Sequence, residues 1–127
     1  MYSYSFEKLD VWKLSRKLAK DIYVLTKGFP NEEKFALVSQ MQRASVSVVS
    51  NIAEGSTRTS YKEQIRYIEI AYGSLMELYS QLCISLDINL ITSEIFETKN
   101  TEIKEISNKL NALKKAYQEK ANSQITK

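Results

Sequence analysis

Polar side chains recur at helical spacing in the centre of the sequence, between residues 40 and 54. At about 100° per residue, five of them share one side of a helix: Gln40, Arg43, Ser47, Asn51 and Glu54. Guanidinium, hydroxyl, amide and carboxylate groups in such a row can satisfy one another, or the same groups of a second subunit. A buried charge without a partner costs about 3–5 kcal/mol, so partners are required. We predict that this polar stripe, together with Glu77, is structural or forms an oligomer contact.

Catalytic chemistry in this chain would depend on carboxylates. Glu54 and Glu77 could act as an acid–base pair in a hydrolase, which we keep as a minor hypothesis. The sequence has no histidine, so it lacks the commonest general base and the commonest metal ligand. It also has no aspartate cluster and no glycine-rich loop. We therefore predict that the protein is not an enzyme and has no catalytic residues, metal ligands or cofactor.

Basic side chains form two groups that could contact an anionic partner. The first group lies near the start of the chain and the second follows residue 55; together they are Lys13, Arg16, Lys17, Lys20, Arg58, Lys62 and Arg66. The formal net charge of +3 permits a nucleic-acid partner without requiring one. For one subunit, an ordinary solubilising surface explains these residues better than a nucleic-acid contact does. In a ring the same patch would be repeated, and phosphate contacts add in salt-dependent binding.

Apolar residues repeat every three or four positions along four segments, which predicts four helices. The strongest repeat lies in the third segment and consists of Tyr61, Ile65, Ile68, Tyr72, Leu75, Tyr79, Leu82 and Leu86. We expect helices at about 10–27, 32–54, 61–87 and 93–120. Gly55 is expected to cap the end of the second helix, and Ser60 and Glu63 match a capping box at the start of the third.

Short connections between these helices favour antiparallel neighbours. At 127 residues the chain fits one domain, residues 1–127. We predict an all-α fold, an antiparallel up-down-up-down four-helix bundle.

The two central helices carry few charges on any side. Arg43 is the only charged residue from 35 to 53, and residues 78–86 contain none. Gly73 interrupts the third helix next to the small residues Ala71 and Ser74, which predicts a close approach of another helix. The polar residues of this region exclude a membrane span. Burial inside a monomer or against a second subunit remain as alternatives, and we favour the second subunit.

Sequence motifs in these helices resemble a known family. The central motif is Gln42-Arg43-Ala44-Ser45-x-Ser47-x-x-x-Asn51-Ile52-Ala53-Glu54-Gly55. Three further segments are Phe6-Glu7-x-Leu9-x-Val11-Trp12, Phe29-Pro30-x-x-Glu33-x-Phe35-x-Leu37 and Ala71-x-Gly73-Ser74-Leu75-x-Glu77-Leu78. They resemble the four-helix-bundle proteins encoded in 23S rRNA intervening sequences (the S23 family). That family is similar to the accessory variability protein of diversity-generating retroelements. The resemblance covers about residues 6–118 and implies a ring-like homo-oligomer, a pentamer.

The expected function follows from the helices and their charges together. Our first hypothesis is a non-enzymatic oligomeric module that binds RNA, DNA or a ribonucleoprotein through its basic residues. The alternative is a structural or protein-interaction scaffold with no nucleic-acid role. Cys83 is the only cysteine, which excludes an internal disulfide, and no signal peptide is visible at the start of the sequence. We expect a cytoplasmic protein.

Overall fold

Four α-helices make up most of the chain in a computed structural model, which describes residues 3–125. They are α1 (Asp10–Thr26), α2 (Ser39–Ser56), α3 (Tyr61–Asp87) and α4 (Ser93–Ile125). A 3₁₀ turn (Ser5–Lys8) precedes α1, and a second one (Asn31–Glu33) leads into a short π-helical segment (Lys34–Val38) before α2. The described residues contain no β-strand. The prediction of an all-α protein with four helices is confirmed.

All four helices contribute side chains to a single apolar core. Ile22 of α1, Met41 of α2, Leu75 and Leu78 of α3, and Leu110 of α4 have no exposed surface (0%). Burying an aliphatic side chain of this size contributes about 1.5–3 kcal/mol, so these layers dominate the stability of the fold. Neighbours in sequence pack on one another, and α1 also contacts α4, so each helix covers part of the same core.

Contacts between α2 and α3 join the early residues of one helix to the later residues of the other. The Ser85 hydroxyl of α3 donates to Met41 Sδ at 3.7 Å near the start of α2. The Ser47 and Ser74 hydroxyls hydrogen-bond at 2.8 Å further along. The contact between α3 and α4 also joins an early residue of one helix to a later residue of the other. Glu69 of α3 lies 3.4 Å from Lys114 of α4. These contacts set which polar groups of neighbouring helices can meet.

The second and fourth helices differ from the ranges expected from the sequence. The expected second helix began at residue 32, but the chain passes through 3₁₀ and π turns and becomes α-helical only at Ser39. Leu37 faces the core from the π segment, whereas Phe35 is 88% exposed. The fourth helix continues to Ile125 instead of ending near 120. Residues 113–122 are mostly Ala, Lys, Gln and Glu, which favour helix over coil and sustain this extension.

The two central glycines have roles opposite to those predicted. Gly55 lies inside α2, is buried, and does not adopt a positive φ, so it is not the C-cap. A Cβ added to Gly55 would lie 2.7 Å from Tyr67 Cβ, so the close approach of α2 and α3 requires glycine here. Gly73 is exposed, and a Cβ there would have no neighbour within 4 Å. The predicted close approach at Gly73 is therefore wrong for contacts within the chain.

Replacing each of these glycines by alanine should change stability in opposite directions. We expect Gly55→Ala to lower the free energy of unfolding by about 1–3 kcal/mol, because Tyr67 Cβ is attached to the backbone and can only yield if α3 moves. Gly73→Ala serves as the matched control and should raise it by up to about 1 kcal/mol through helix propensity. Urea denaturation of dilute protein measures both. A Gly55→Ala protein as stable as wild type would contradict the packing described here.

Candidate functional surfaces

The middle of the predicted polar stripe forms a hydrogen-bonded contact between α2 and α3. Ser47 meets Ser74 of α3 at 2.8 Å. The Asn51 amide donates to the Ser47 carbonyl at 2.8 Å and to the Ser47 hydroxyl at 3.0 Å. These partly buried groups satisfy one another within the chain, which removes the cost of placing them between two helices.

The remaining members of the stripe lie on the surface. Gln40, Arg43, Glu54 and Glu77 are all exposed. Glu54 lies 3.9 Å from Arg58, and the Gln81 amide donates to Glu77 at 3.3 Å. Arg43 has no ion-pair partner among residues 3–125. The structure thus brings Ser47 and Asn51 together, but it does not pair Arg43 with Glu54.

The two carboxylates of the hydrolase hypothesis are far apart. Ser47 lies opposite Ser74; from that level Glu54 is seven residues along α2, and Glu77 is three residues along α3 in the opposite direction. Ten residues of helical rise correspond to roughly 15 Å. This separation is beyond the 5–9.5 Å or so at which paired carboxylates act on one bond.

The outward sides of α2 and α3 form a surface with few charges. We define the α2–α3 outer face by the exposed residues Arg43, Val46, Ser50, Ile70, Gly73, Glu77, Ser80 and Ile84. The apolar members are 40% (Val46), 41% (Ile70) and 49% (Ile84) exposed. Arg43 and Glu77 are the two charged members. The face therefore combines apolar side chains, small residues and one charge of each sign.

Lys17 belongs to an ion-pair network between α1 and α4. Its ammonium lies 2.8 Å from Asp21 and 3.8 Å from Glu102, and Lys99 lies 3.3 Å from each of the same carboxylates. The hydrogen bond that the Lys17 ammonium donates to the Asp21 carboxylate raises the pKa of Lys17. Burial acts to raise the pKa of Asp21, but hydrogen bonds from the two lysines outweigh it and lower that pKa. The Lys17–Asp21 pair has the i,i+4 spacing of a helical ion pair, whereas the sequence gives no signal for the contacts with Glu102 and Lys99 of α4.

The other basic residues of α1 remain at the surface. Arg16 places its guanidinium 5.4 Å from the centre of the Trp12 ring. Lys13 and Lys20 are exposed, and Lys20 has no ion-pair partner in the described part of the chain. The spacing of positions 13, 16 and 20 places these three side chains along one exposed side of α1.

Arg58 holds the connection between α2 and α3. Its guanidinium lies 4.8 Å from the centre of the Tyr67 ring and donates to the Tyr67 hydroxyl at 2.9 Å. The Gln64 amide donates to the Arg58 carbonyl at 2.9 Å. The Arg58 side chain is 38% exposed, and its buried Nε has no partner among the described residues. This contact and the Gly55–Tyr67 approach stabilise the same corner of the fold.

Lys62 and Arg66 line a groove between the start of α3 and the end of α4. Both are exposed, lie one turn apart, and have no ion-pair partner within residues 3–125. The groove has a volume of about 1150 Å³, and Gln118 and Asn122 of α4 line its other side. We call it the α3–α4 groove. The sequence analysis missed it because Asn122 lies beyond the expected end of the fourth helix near residue 120, and because no sequence signal places Gln118 opposite Lys62 and Arg66.

Tyr61 and Tyr67, the tyrosines next to Lys62 and Arg66, contact other side chains of the same chain. The Tyr61 ring lies 5.9 Å from the Tyr117 ring at an interplanar angle of 29°. Burial, followed by the neighbouring Tyr61, raises the pKa of Tyr117. Tyr67 lies under Arg58. Stacking of these rings on bases would require breaking contacts that the fold already makes.

The described part of the chain has neither a metal-binding cluster of acidic or cysteine side chains nor a membrane-spanning helix. No group of three or more cysteine, aspartate or glutamate side chains between residues 3 and 125 is placed to hold a metal ion. Among those residues, no helix has both the length and the apolar character needed to cross a membrane.

Comparisons with known proteins agree on one family. The family model described as "23S rRNA-intervening sequence protein" matches residues 7–112. A solved structure from Bacteroides thetaiotaomicron, described as a protein with unknown function from the S23 ribosomal protein family, is 29% identical with a TM-score of 0.77. The similarity covers 83% of this chain and 95% of that one. No curated protein in the comparison gave a significant match. The chain belongs to the 23S rRNA-intervening sequence protein family.

Proposed function

We propose that this protein is a non-enzymatic module that assembles as a homo-oligomer through the α2–α3 outer face and binds nucleic acid or a ribonucleoprotein through its basic residues. The observation that carries the proposal is the position of Gly73 on an open surface. A glycine inside a helix costs about 1 kcal/mol relative to alanine. No atom of the same chain lies close enough to Gly73 to exclude a larger side chain. We therefore propose that the glycine is present because a second copy of the chain packs closely against it.

The chemistry around Gly73 supports a protein partner at this face. Val46, Ile70 and Ile84 are each at least 40% exposed and lie on the same α2–α3 outer face as the glycine. Apolar side chains around a small residue let two helices pack closely, and exposed apolar patches commonly mark interaction sites. Arg43 and Glu77 supply opposite charges that no ion pair within residues 3–125 uses.

A ring is the form of assembly that we propose. We infer an up-down-up-down order of the four helices, which the reversed contacts between α3 and its two neighbours support. If the α2 side of one copy packs on the α3 side of the next, the contact is head-to-tail, and such contacts generate closed rings when the rotation closes. Arg43 of one copy would then pair with Glu77 of its neighbour. The resemblance described above suggests five subunits.

The nucleic-acid part of the proposal depends on the basic residues that lack partners. Lys20, Lys62 and Arg66 are exposed and have no ion-pair partner in the described chain. A ring would repeat these residues, and each phosphate contact would add to salt-dependent binding. The alternative of a scaffold without nucleic acid is favoured by a different observation. Lys17 and Arg58, two of the seven candidate contacts, are occupied by Asp21 and Tyr67.

Enlarging Gly73 should separate the subunits. We expect Gly73→Trp to leave the helical content unchanged, because the position is open within the chain, and to reduce the native mass to that of the 14.6 kDa monomer. Ala112→Trp is the matched control, since Ala112 is exposed on α4 outside the α2–α3 outer face. Light scattering after gel filtration measures the mass of both variants. A monomeric wild-type protein, or a Gly73→Trp protein with the wild-type mass, would contradict the proposed interface.

Exchanging the two charges of the face should restore an assembly that a single change breaks. Arg43→Glu places two like charges at the contact and should dissociate the oligomer by at least about tenfold in dissociation constant, since like charges at an interface cost several kcal/mol. Adding Glu77→Arg should recover the wild-type mass. Arg43→Glu with Glu54→Arg is the control with the same net charge and should stay dissociated. Two results would contradict pairing of Arg43 with Glu77. One is an oligomer restored by Glu54→Arg, and the other is an oligomer that Glu77→Arg does not restore.

A further inference from the structure

We infer that the α3–α4 groove binds one extended single strand of nucleic acid, with Lys62 and Arg66 contacting its phosphates and Gln118 and Asn122 contacting sugars or base edges. This inference rests on the proposed nucleic-acid function and names the site at which it would occur. Among the basic residues considered above, these two share a groove with a second, polar wall.

The basic wall suits a chain of phosphates. Lys62 and Arg66 are four residues apart on α3, so their side chains lie on the same side of the helix, about 5–6 Å apart at Cβ. Neither is used in an ion pair within residues 3–125. Arginine binds phosphate through two parallel N–H donors, and lysine binds it as a point charge. Two contacts on successive phosphates are therefore available without breaking any contact of the fold.

The opposite wall is neutral and carries amides. Gln118 and Asn122 are also four residues apart, and both are exposed on α4. Each amide can donate and accept hydrogen bonds, so it can contact sugar hydroxyls or base edges of any sequence. Packed helices lie about 8–10 Å apart, so a groove between them admits one strand but not a duplex. The Tyr61–Tyr117 contact leaves these rings engaged, which favours binding with little base preference.

Two carboxylates line the same groove and oppose an anionic ligand. Glu69 is neutralised by Lys114 at 3.4 Å. Glu63 has no ion-pair partner among the described residues and lies in the first turn of α3 beside Lys62. Lys62, Arg66 and Lys114 carry three positive charges, and Glu63 and Glu69 carry two negative charges. The net charge of the groove, with Lys114 included, is therefore +1. Glu63 thus limits affinity, and its removal should strengthen binding.

The groove depends on the extension of α4. The family match ends at residue 112, whereas Gln118 and Asn122 lie beyond it in the last three turns of a helix that ends at Ile125. The amide wall is therefore a feature of this chain outside the matched region. Binding at this site would distinguish this chain from a relative whose fourth helix stops earlier.

The test is fluorescence anisotropy of the full-length protein with labelled uridine and thymidine homopolymers of equal length, at several salt concentrations. For Lys62→Gln with Arg66→Gln we expect a loss of affinity on the order of tenfold at low salt. The slope of log K against log salt should fall by about 1.4, because each phosphate contact on a single strand contributes about 0.7. Lys27→Gln with Lys104→Gln removes the same charge from exposed sites that lie outside the groove and are not among the candidate contacts, and it should change affinity by less than about twofold.

Gain-of-affinity variants keep the test independent of folding defects. Glu63→Gln and Gln118→Lys should each raise affinity about twofold to fivefold, because each adds one unit of positive charge to the groove. A duplex of the same length should bind wild type more weakly than either homopolymer. Comparison of the two homopolymers shows whether RNA or DNA is the ligand.

The outcomes separate this inference from the proposed function. No binding of any nucleic acid by wild type at low salt would overturn both. Salt-dependent binding that falls equally in the Lys62/Arg66 and Lys27/Lys104 double variants would leave the function standing and overturn the groove. Preferred binding of duplex, or equal competition by polyglutamate of the same charge, would also overturn the single-strand site.

Discussion

The close approach of α2 to α3 is the constraint on which the rest of the structure depends. Gly55 leaves no room for a side chain against Tyr67 Cβ, and Ser47 and Ser74 join the same two helices by a hydrogen bond. With these helices fixed, α1 and α4 complete the core from the other side, and the ion-pair network that includes Lys17 joins them. No element of the described chain covers the α2–α3 outer face.

The fold class follows from the sequence because buried side chains must repeat every three or four residues in any packed helix. The residue pattern of one helix does not determine which residues of other helices pack against it. The sequence context of Gly55 indicates a helix cap and that of Gly73 a close approach, yet of these two glycines Gly55 is the enclosed one, because Tyr67 of the next helix packs against it. Phe35 is apolar but 88% exposed, so apolar spacing could not indicate the π turn around it. The end of α4 is polar and helix-forming, which is equally compatible with fraying.

The candidate surfaces were predictable to a smaller extent. Helical spacing placed Ser47 and Asn51 in one row, and their mutual contact is local. The environment of the charged residues depends on distant parts of the chain. Lys17 meets Glu102 of α4, and Arg58 meets Tyr67 of the next helix. Neither pairing has a sequence signal, so the seven basic candidates could not be ranked before the structure separated the paired residues from the unpaired ones.

Chemical labelling on the α2–α3 outer face tests the proposed assembly most directly. The measurement is the rate of maleimide reaction of Ser50→Cys in a Cys83→Ser background, at low and high protein concentration. Ser50 is an exposed member of the face, and cysteine is close to serine in size. Ala112→Cys in the same background is the reference. If a second copy covers the face, labelling at position 50 slows at least about tenfold as the oligomer forms, following the bound fraction, while labelling at 112 does not change. Equal rates at both concentrations, with an oligomer present, would contradict the central claim.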